Sequence, residues 1–193
     1  MKKYLIPLIL ILFLAFTLTG LSTAWDVSTA SYDSVSFDVG SQESYPRDVT
    51  FSSDGSKMYI IGDSSDTVYQ YTLSTAWDLS TASYDSVSFY VGSQESYSVS
   101  VAFSSDGSKM YIVGGSSYTV YQYTLSTAWD VSTASYDSVS FDVSSQTSSP
   151  YDVAFSSDGS KMYIVGYTND TVYQYTLPVE VELINSIFFG CNF

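Results

Sequence analysis

The sequence predicts an all-β protein built from β-propeller blades. The prediction rests on a repeat of fixed length, on a hairpin turn between β-prone segments in every copy, and on a composition rich in tyrosine. Trp25, Trp77 and Trp129 mark a period of 52 residues, which is typical of stacked supersecondary units. Aromatic residues make up 17% of the chain and charged residues 13%, a balance that favours a packed β protein over a disordered one.

Each copy contains three β-prone segments joined by turns. In the first copy we expect strands at residues 48–52, 57–62 and 67–73. Asp54 and Gly55 lie in the turn between the first two, where glycine supplies the positive φ of a tight hairpin. A second turn cluster at residues 62–66 precedes the third strand. The pattern predicts a meander repeated three times.

A fourth strand is needed to complete a blade, and residues 34–39 are the candidate because they alternate apolar and polar side chains. Its second copy, at residues 86–91, follows a polar link that carries Trp77. Each copy therefore begins with its outer strand and ends with three inner strands, so residues 34–39 are expected to complete the blade formed last, at residues 152–177. We interpret the repeated tryptophan as a packing plug between blades, with an exposed platform for sugar stacking as the alternative.

The repeat resembles a known family. VAFSSDGSKMYIVG at residues 101–114 and TVYQY at residues 119–123 are similar to the blade signature of YVTN-type and lactonase-like β-propellers, and to repeats of uncharacterised secreted bacterial and phage proteins. The resemblance covers residues 25–177, although the period here is longer because of the Trp-bearing link. It implies the fold and transfers no function, since propellers host enzymes, binders and scaffolds.

The two ends of the chain differ from the repeat domain at residues 25–177. Residues 1–24 combine two lysines, an apolar run and small residues, the layout of a secretory signal or of a retained N-terminal anchor. We therefore expect a secreted or cell-surface protein, periplasmic or extracellular. Residues 178–193 leave the repeat; they either cover an open blade face or mark a truncated reading frame.

The composition excludes several kinds of chemistry. The chain has no histidine and one cysteine, Cys191, which excludes histidine-based acid–base catalysis, Cys/His zinc sites and internal disulfides. After Trp25 there are 20 acidic and four basic residues, so nucleic acid is excluded as a partner. The lactonase-like resemblance implies carboxylates around a central calcium, but the repeated Asp54, Asp106 and Asp158 are interpreted as turn residues. The sequence thus predicts no catalytic residue, metal or cofactor.

The copies differ mainly in two loops that a blade places at the same end. Residues 46–48 differ from residues 98–100 and 150–152, and residues 63–66 differ from residues 115–118 and 167–170. Binding residues often lie on such loops, although drift at unconstrained loop tips is the alternative. The predicted ligand-binding residues on this variable rim are Arg47, Tyr118, Tyr151 and Tyr167.

These observations predict a non-enzymatic propeller that binds a protein or a glycan. The alternatives are a lactonase-like, metal-dependent hydrolase and a structural or fragmentary repeat protein with no ligand. Three blades are fewer than the four with which natural propellers begin. We therefore expect an incomplete propeller as a single chain, and a homodimer in which two chains, head to tail, lend each other an outer strand and close a six-bladed ring.

Overall fold

The computed structural model describes residues 27–178, and the chain divides into two compact units, Met1–Ser34 and Val35–Phe193. The described part of the first unit contains a 3-10 turn at Val27–Thr29. The predicted signal or anchor and nearly all of the predicted tail lie outside the described residues. Within residues 27–178 no helix has the length and apolar character needed to cross a membrane.

The second unit confirms the predicted blades. Three antiparallel sheets follow one another along the chain, and each runs from its innermost strand outward in the order of the sequence. The strands of the first sheet are β1 (Pro46–Phe51), β2 (Lys57–Gly62), β3 (Thr67–Leu73) and β4 (Ala82–Tyr90); those of the second are β5 (Ser98–Phe103), β6 (Lys109–Gly114), β7 (Thr119–Leu125) and β8 (Ala134–Asp142); those of the third are β9 (Pro150–Phe155), β10 (Lys161–Gly166) and β11 (Thr171–Thr176). We call these sheets blades 1, 2 and 3.

The hairpin between the first two strands of each blade forms as predicted. Gly55 has φ 72°, and Asp54 accepts hydrogen bonds from the Ser52 hydroxyl at 2.7 Å and from the backbone and hydroxyl of Ser56 at 2.9 and 2.8 Å. The same contacts surround Asp106 and Asp158. These three aspartates stabilise turns.

Blades 1 and 2 have the four predicted strands, whereas blade 3 has three among the described residues, and residues 34–39 do not form a strand within one chain. The outer strands β4 and β8 pair with β3 and β7, which belong to the preceding copy. Among the described residues, residues 34–39 have no third strand of a preceding copy with which to pair, and β11 has no outer neighbour. Phe37 nevertheless packs edge-to-face on Tyr71 at 5.5 Å, as Phe89 packs on Tyr123.

Each outer strand carries a bulge that the sequence did not predict. Gln70 is opposite Val87 while Tyr71 is opposite Tyr84, so two residues, Asp85 and Ser86, lie in the bulge. Ser86 has φ 58°. The bulge turns the Asp85 carboxylate towards the sheet, where it accepts from Lys57 Nζ at 2.9 Å. Blade 2 repeats this ion pair between Lys109 and Asp137 at 3.0 Å.

Apolar side chains join consecutive blades. One cluster combines Ile61 and Val68 of blade 1 with Met110 and Ile112 of blade 2, and a second joins blade 2 to blade 3 in the same way. Trp129 lies between the first two blades, with its ring 6.4 Å from Tyr59 and 5.4 Å from Phe103. It therefore acts as the predicted packing plug.

Candidate active site

The variable rim exists as predicted, at one end of the blades. Pro46, at the start of β1, is opposite Gly62, at the end of β2, so the loop into β1 and the loop after β2 lie at the same end. The Trp-bearing link lies at the other end, where Trp77 N donates to Gly55 O at 3.0 Å. The rim that varies between copies is thus separated from the invariant turns.

The innermost strands bring two carboxylates together near this rim. β1, β5 and β9 are neighbours in space, and position three of each strand is Asp48, Ser100 and Asp152. The Ser100 hydroxyl lies 3.0 Å from Asp48 Oδ2 and 2.7 Å from Asp152 Oδ1. We call these three residues the axial group.

The environment of the axial group fixes its geometry. Asp48 Oδ2 also accepts from Val101 N at 3.0 Å, and Asp152 Oδ1 accepts from Val153 N at 2.7 Å. Ser100 is buried, with 2% of its surface exposed, whereas Asp48 is half-buried and Asp152 is exposed. Because a hydroxyl carries one hydrogen, Ser100 can donate to only one of the two carboxylates at a time. The group can therefore change its hydrogen bonding without moving its heavy atoms.

Two further carboxylates on the rim are structural. Glu43 and Glu95 are buried, and each accepts bonds from two serine hydroxyls and from backbone N–H groups. Burial alone would raise the pKa of Glu43 and Glu95, but these hydrogen bonds outweigh it and hold both pKa values below normal. Asp66 differs, because burial raises the pKa of this carboxyl. Its Oδ1 lies 3.4 Å from Ser98 N, two residues before Ser100.

The predicted rim residues are only partly brought together. Tyr151 and Tyr167 form an exposed aromatic pair, with ring centroids 6.0 Å apart and planes 32° apart. Arg47 donates through Nε to Asp63 Oδ2 at 3.1 Å and lies 5.6 Å above the ring of Tyr97; the bond to Asp63 raises the pKa of its guanidinium.

Tyr118 is the remaining predicted residue. It has φ 55°, is half-buried, and forms no ring pair with the other tyrosines among the described residues. Tyr97 was not predicted, because sequence alone could not place it beside Arg47.

A calcium centre of the kind that the resemblance implies does not fit the residues present. Within residues 27–178, no three or more His, Cys, Asp or Glu side chains are arranged to hold a metal ion. The axial group offers two carboxylates and a hydroxyl that already bond to one another. The chemistry of this site must therefore be derived from its own side chains.

Sequence reasoning missed the axial group although its signal was present. Asp48, Ser100 and Asp152 belong to the very segments in which the copies differ. The aspartates that repeat in all three copies stabilise turns, whereas Asp48 and Asp152 are replaced by Ser100 in the second copy.

Comparison with known proteins supports the propeller fold. The sequence matches no protein-family model and no curated protein. Among solved structures it is similar to a protein assigned as 6-phosphogluconolactonase from Bacteroides uniformis (TM-score 0.54, 14% identity, 76% of this chain and 41% of that one). A protein with the same assignment from Bacteroides fragilis (TM-score 0.51, 15% identity, 68% and 34%) and a functionally unknown protein from Desulfotomaculum acetoxidans (TM-score 0.53, 14% identity, 69% and 38%) are also similar. The chain thus spans about two fifths or less of the length of these structures.

These neighbours correct one expectation. Two of them carry an enzymatic assignment on the same blade architecture, so the prediction of a non-enzymatic protein that binds a protein or a glycan is wrong. Its physical premise was too narrow: missing histidine and a lone cysteine exclude some nucleophiles and bases, but carboxylates can also act as bases. The fold that these comparisons support is a lactonase-like β-propeller.

Proposed function

We propose that this protein is a lactonase-like hydrolase whose working groups are the carboxylates of the axial group. The observation that carries the proposal is the hydrogen-bonded arrangement of Asp48, Ser100 and Asp152 on the three innermost strands. It lies at the end of the blades where the copies differ. The likeness to structures assigned as 6-phosphogluconolactonases supports lactones as the substrate class.

Lactone hydrolysis needs a base for the attacking water and a proton for the departing ring oxygen. Asp152 is the exposed member of the group, so it takes the proton from water as the water oxygen bonds to the lactone carbonyl carbon. The bond from that carbon to the ring oxygen then breaks, and Asp152 returns the proton to the ring oxygen. The product is the open hydroxy acid, and no other reactant is needed.

Ser100 and Asp48 serve as positioning residues in this scheme. While Asp152 is ionised, the Ser100 hydroxyl donates to it at 2.7 Å. When Asp152 holds the proton, the same hydroxyl turns to Asp48, 3.0 Å away. The charge on Asp152 is thus matched at each stage by a donor that needs only to rotate.

The charge of the chain favours a neutral sugar lactone. The net charge is −14, and Arg47, the cation beside the axial residue Asp48, is already paired with Asp63. A phosphorylated lactone would be repelled. Tyr151 precedes Asp152 directly, and its exposed pair with Tyr167 can stack on the apolar face of a sugar ring. We propose that Arg47 and Tyr118 flank this subsite.

We also propose that the site acts outside the cytoplasm, in the periplasm or beyond the cell. The support is the signal-like composition of residues 1–24. Alkaline phosphatase fused after residue 24 should be active only if this segment directs export.

The proposal is tested by comparing aspartate variants on glucono-δ-lactone, a neutral sugar lactone, with acid release followed after subtraction of spontaneous hydrolysis. Asp152→Asn should lower kcat/KM by about 100-fold or more, the usual contribution of a positioned acid or base. Ser100→Ala should lower kcat with little change in KM. Asp106→Asn, in the invariant turn far from the rim, is the matched control and should retain activity. Full activity in Asp152→Asn would overturn the assignment.

A further inference from the structure

We propose that residues 30–38 of one copy form the fourth strand of blade 3 in a second copy, and that two copies closed in this way make a ring of six blades. This inference concerns the two open ends of the chain and is independent of the proposed catalysis. Four features of the described residues carry it.

The first feature is that the two segments proposed to pair are identical in sequence to two strands that pair within blade 2. Residues 30–38 read ASYDSVSFD, which is also the sequence of β8, and β11 reads TVYQYT, which is also the start of β7. β7 and β8 pair in blade 2. Transferring their register places Thr171 opposite Asp38, Val172 opposite Phe37 and Thr176 opposite Ser31. Among the described residues, no other segment with this sequence is left unpaired.

The second feature is the backbone of the donor segment. Ser34 has φ 59°, and the bulge residues Ser86 and Ser138 in the paired outer strands both have φ 58°. Ser34 therefore already has the left-handed φ of the bulge residue without a partner strand. Little reorganisation is needed for this segment to join a sheet.

The third feature is that the lysine of blade 3 does not have the ion pair that the equivalent lysines of blades 1 and 2 form with the outer strand. Lys57 pairs with Asp85, and Lys109 pairs with Asp137. Lys161 occupies the same position in blade 3, where its Nζ bonds to Thr176 Oγ1 at 2.7 Å, and it forms no ion pair with any described residue. Asp33 is the equivalent carboxylate in the donor segment and is exposed.

The fourth feature is the open face of blade 3. Val172 is 65% exposed, whereas its equivalents Val68 and Val120 are 0% and 4% exposed because the next blade covers them. On blade 1, a cavity of about 350 Å³ is lined by Phe37, Val39, Met58 and Ile60 among others, although Met58 and Ile60 are themselves buried. The equivalents of Met58 and Ile60 in blade 2 are Met110 and Ile112, which pack against blade 1, so this cavity lies on the side of blade 1 where a preceding blade would pack.

The tryptophan pattern agrees with this assembly. A Cβ on Gly55 would meet Trp77, and one on Gly107 would meet Trp129, but one on Gly159 would meet no atom of the described residues within 4 Å. A cavity of about 380 Å³ lies there, lined by Phe103, Tyr111, Phe155 and Asp158 among others. In the sequence, Trp25 precedes residues 30–38 by the same spacing as Trp129 precedes β8.

The register is tested with single cysteines in a Cys191→Ser background. Asp38→Cys and Thr171→Cys chains, unfolded together and refolded, should form a covalent dimer on mild oxidation, whereas neither chain alone should. Asp38→Cys mixed with Gln174→Cys is the control, because three residues along a strand is about 10 Å, beyond the reach of a disulfide. A mixture that does not cross-link, or a control that cross-links equally, would overturn the register.

The assembly itself is tested by sedimentation of the native chain, which should have twice the mass of one copy. Asp33→Lys and Lys161→Asp should each weaken the dimer about tenfold or more, and the double variant, which restores opposite charges, should recover most of the loss. Circular dichroism checks that each variant remains folded. A monomer, an open polymer, or a double variant as weak as the single ones would contradict the proposal.

Discussion

Replacement of Glu95 by threonine tests the hydrogen-bond network of the rim, because the third copy of the repeat already has a threonine, Thr147, at the equivalent position. Its buried carboxylate accepts from Tyr97 N at 2.7 Å, from Ser117 N at 3.1 Å and from the hydroxyls of Ser116 and Ser117. The third copy has Thr147 at this position, where Oγ1 accepts only from Ser149 N. Glu95→Thr should therefore keep one of four hydrogen bonds.

The magnitude follows from the bonds that are lost. The two serine hydroxyls can turn to solvent, but Ser117 N–H loses its charged acceptor. A hydrogen bond to a charged group contributes about 1.5–3 kcal/mol to stability. The variant also no longer has the cost of burying a carboxylate, which offsets part of the loss. Glu95→Thr should therefore lower the free energy of unfolding by about 2 kcal/mol at pH 7. Urea unfolding followed by circular dichroism measures it.

The third copy also predicts the rescue. There Asn169 replaces the serine at 117, and its Nδ2 donates to Gln146 O at 2.9 Å. Adding Ser117→Asn to Glu95→Thr should recover about 1 kcal/mol, the contribution of one such bond, while Ser117→Asn alone should destabilise. If the double variant is no more stable than Glu95→Thr, the two loops do not share this network and the reasoning is refuted.

Three further predictions concern pH and single polar groups. The pKa of Asp106 is lowered from 3.8 to about 2, first by the Ser104 hydroxyl, so its contribution to stability is full above about pH 4 and is lost as the pH falls towards 2; the urea midpoint of Asp106→Asn should fall less over that range than that of the native chain. The pKa of Glu95 is also lowered, so the stability gap between the native chain and Glu95→Thr should narrow below pH 4.5, and a constant gap would contradict this. Ser98 Oγ is buried without a hydrogen-bond partner among the described residues, so Ser98→Ala should leave the urea midpoint unchanged or raise it, whereas Ser100→Ala, which loses a bonded hydroxyl, should lower it.

Local patterns predicted the elements that depend on local physics. The β-prone runs after the Asp54–Gly55 turn predicted the bounds of β2 and β3 as they occur, whereas β1, predicted at residues 48–52, spans Pro46–Phe51. The identity of the rim followed from the order of these strands. The strand predicted at residues 34–39 does not form within one chain, because a strand needs a neighbouring strand with which to pair. Alternation of apolar and polar side chains does not supply that neighbour.

The candidate site could not be predicted in the same way. Asp48 and Asp152 are 104 residues apart and meet only because the innermost strands of three blades converge on Ser100. The bulge at Asp85 likewise depends on pairing with Gln70 and Lys57 across the sheet. Such contacts follow from tertiary geometry, and the sequence offered only the hint that the copies differ at these positions.

The most direct test of the functional account is the rate at which the purified native chain opens glucono-δ-lactone. With Asp152 acting first as base and then as proton donor, acid release should exceed the spontaneous rate, should saturate with lactone, and should fall close to the spontaneous rate in Asp152→Asn. A phosphorylated lactone should be a poorer substrate because of the negative charge of the chain. A native rate equal to that of buffer alone would contradict the claim that this propeller is a hydrolase.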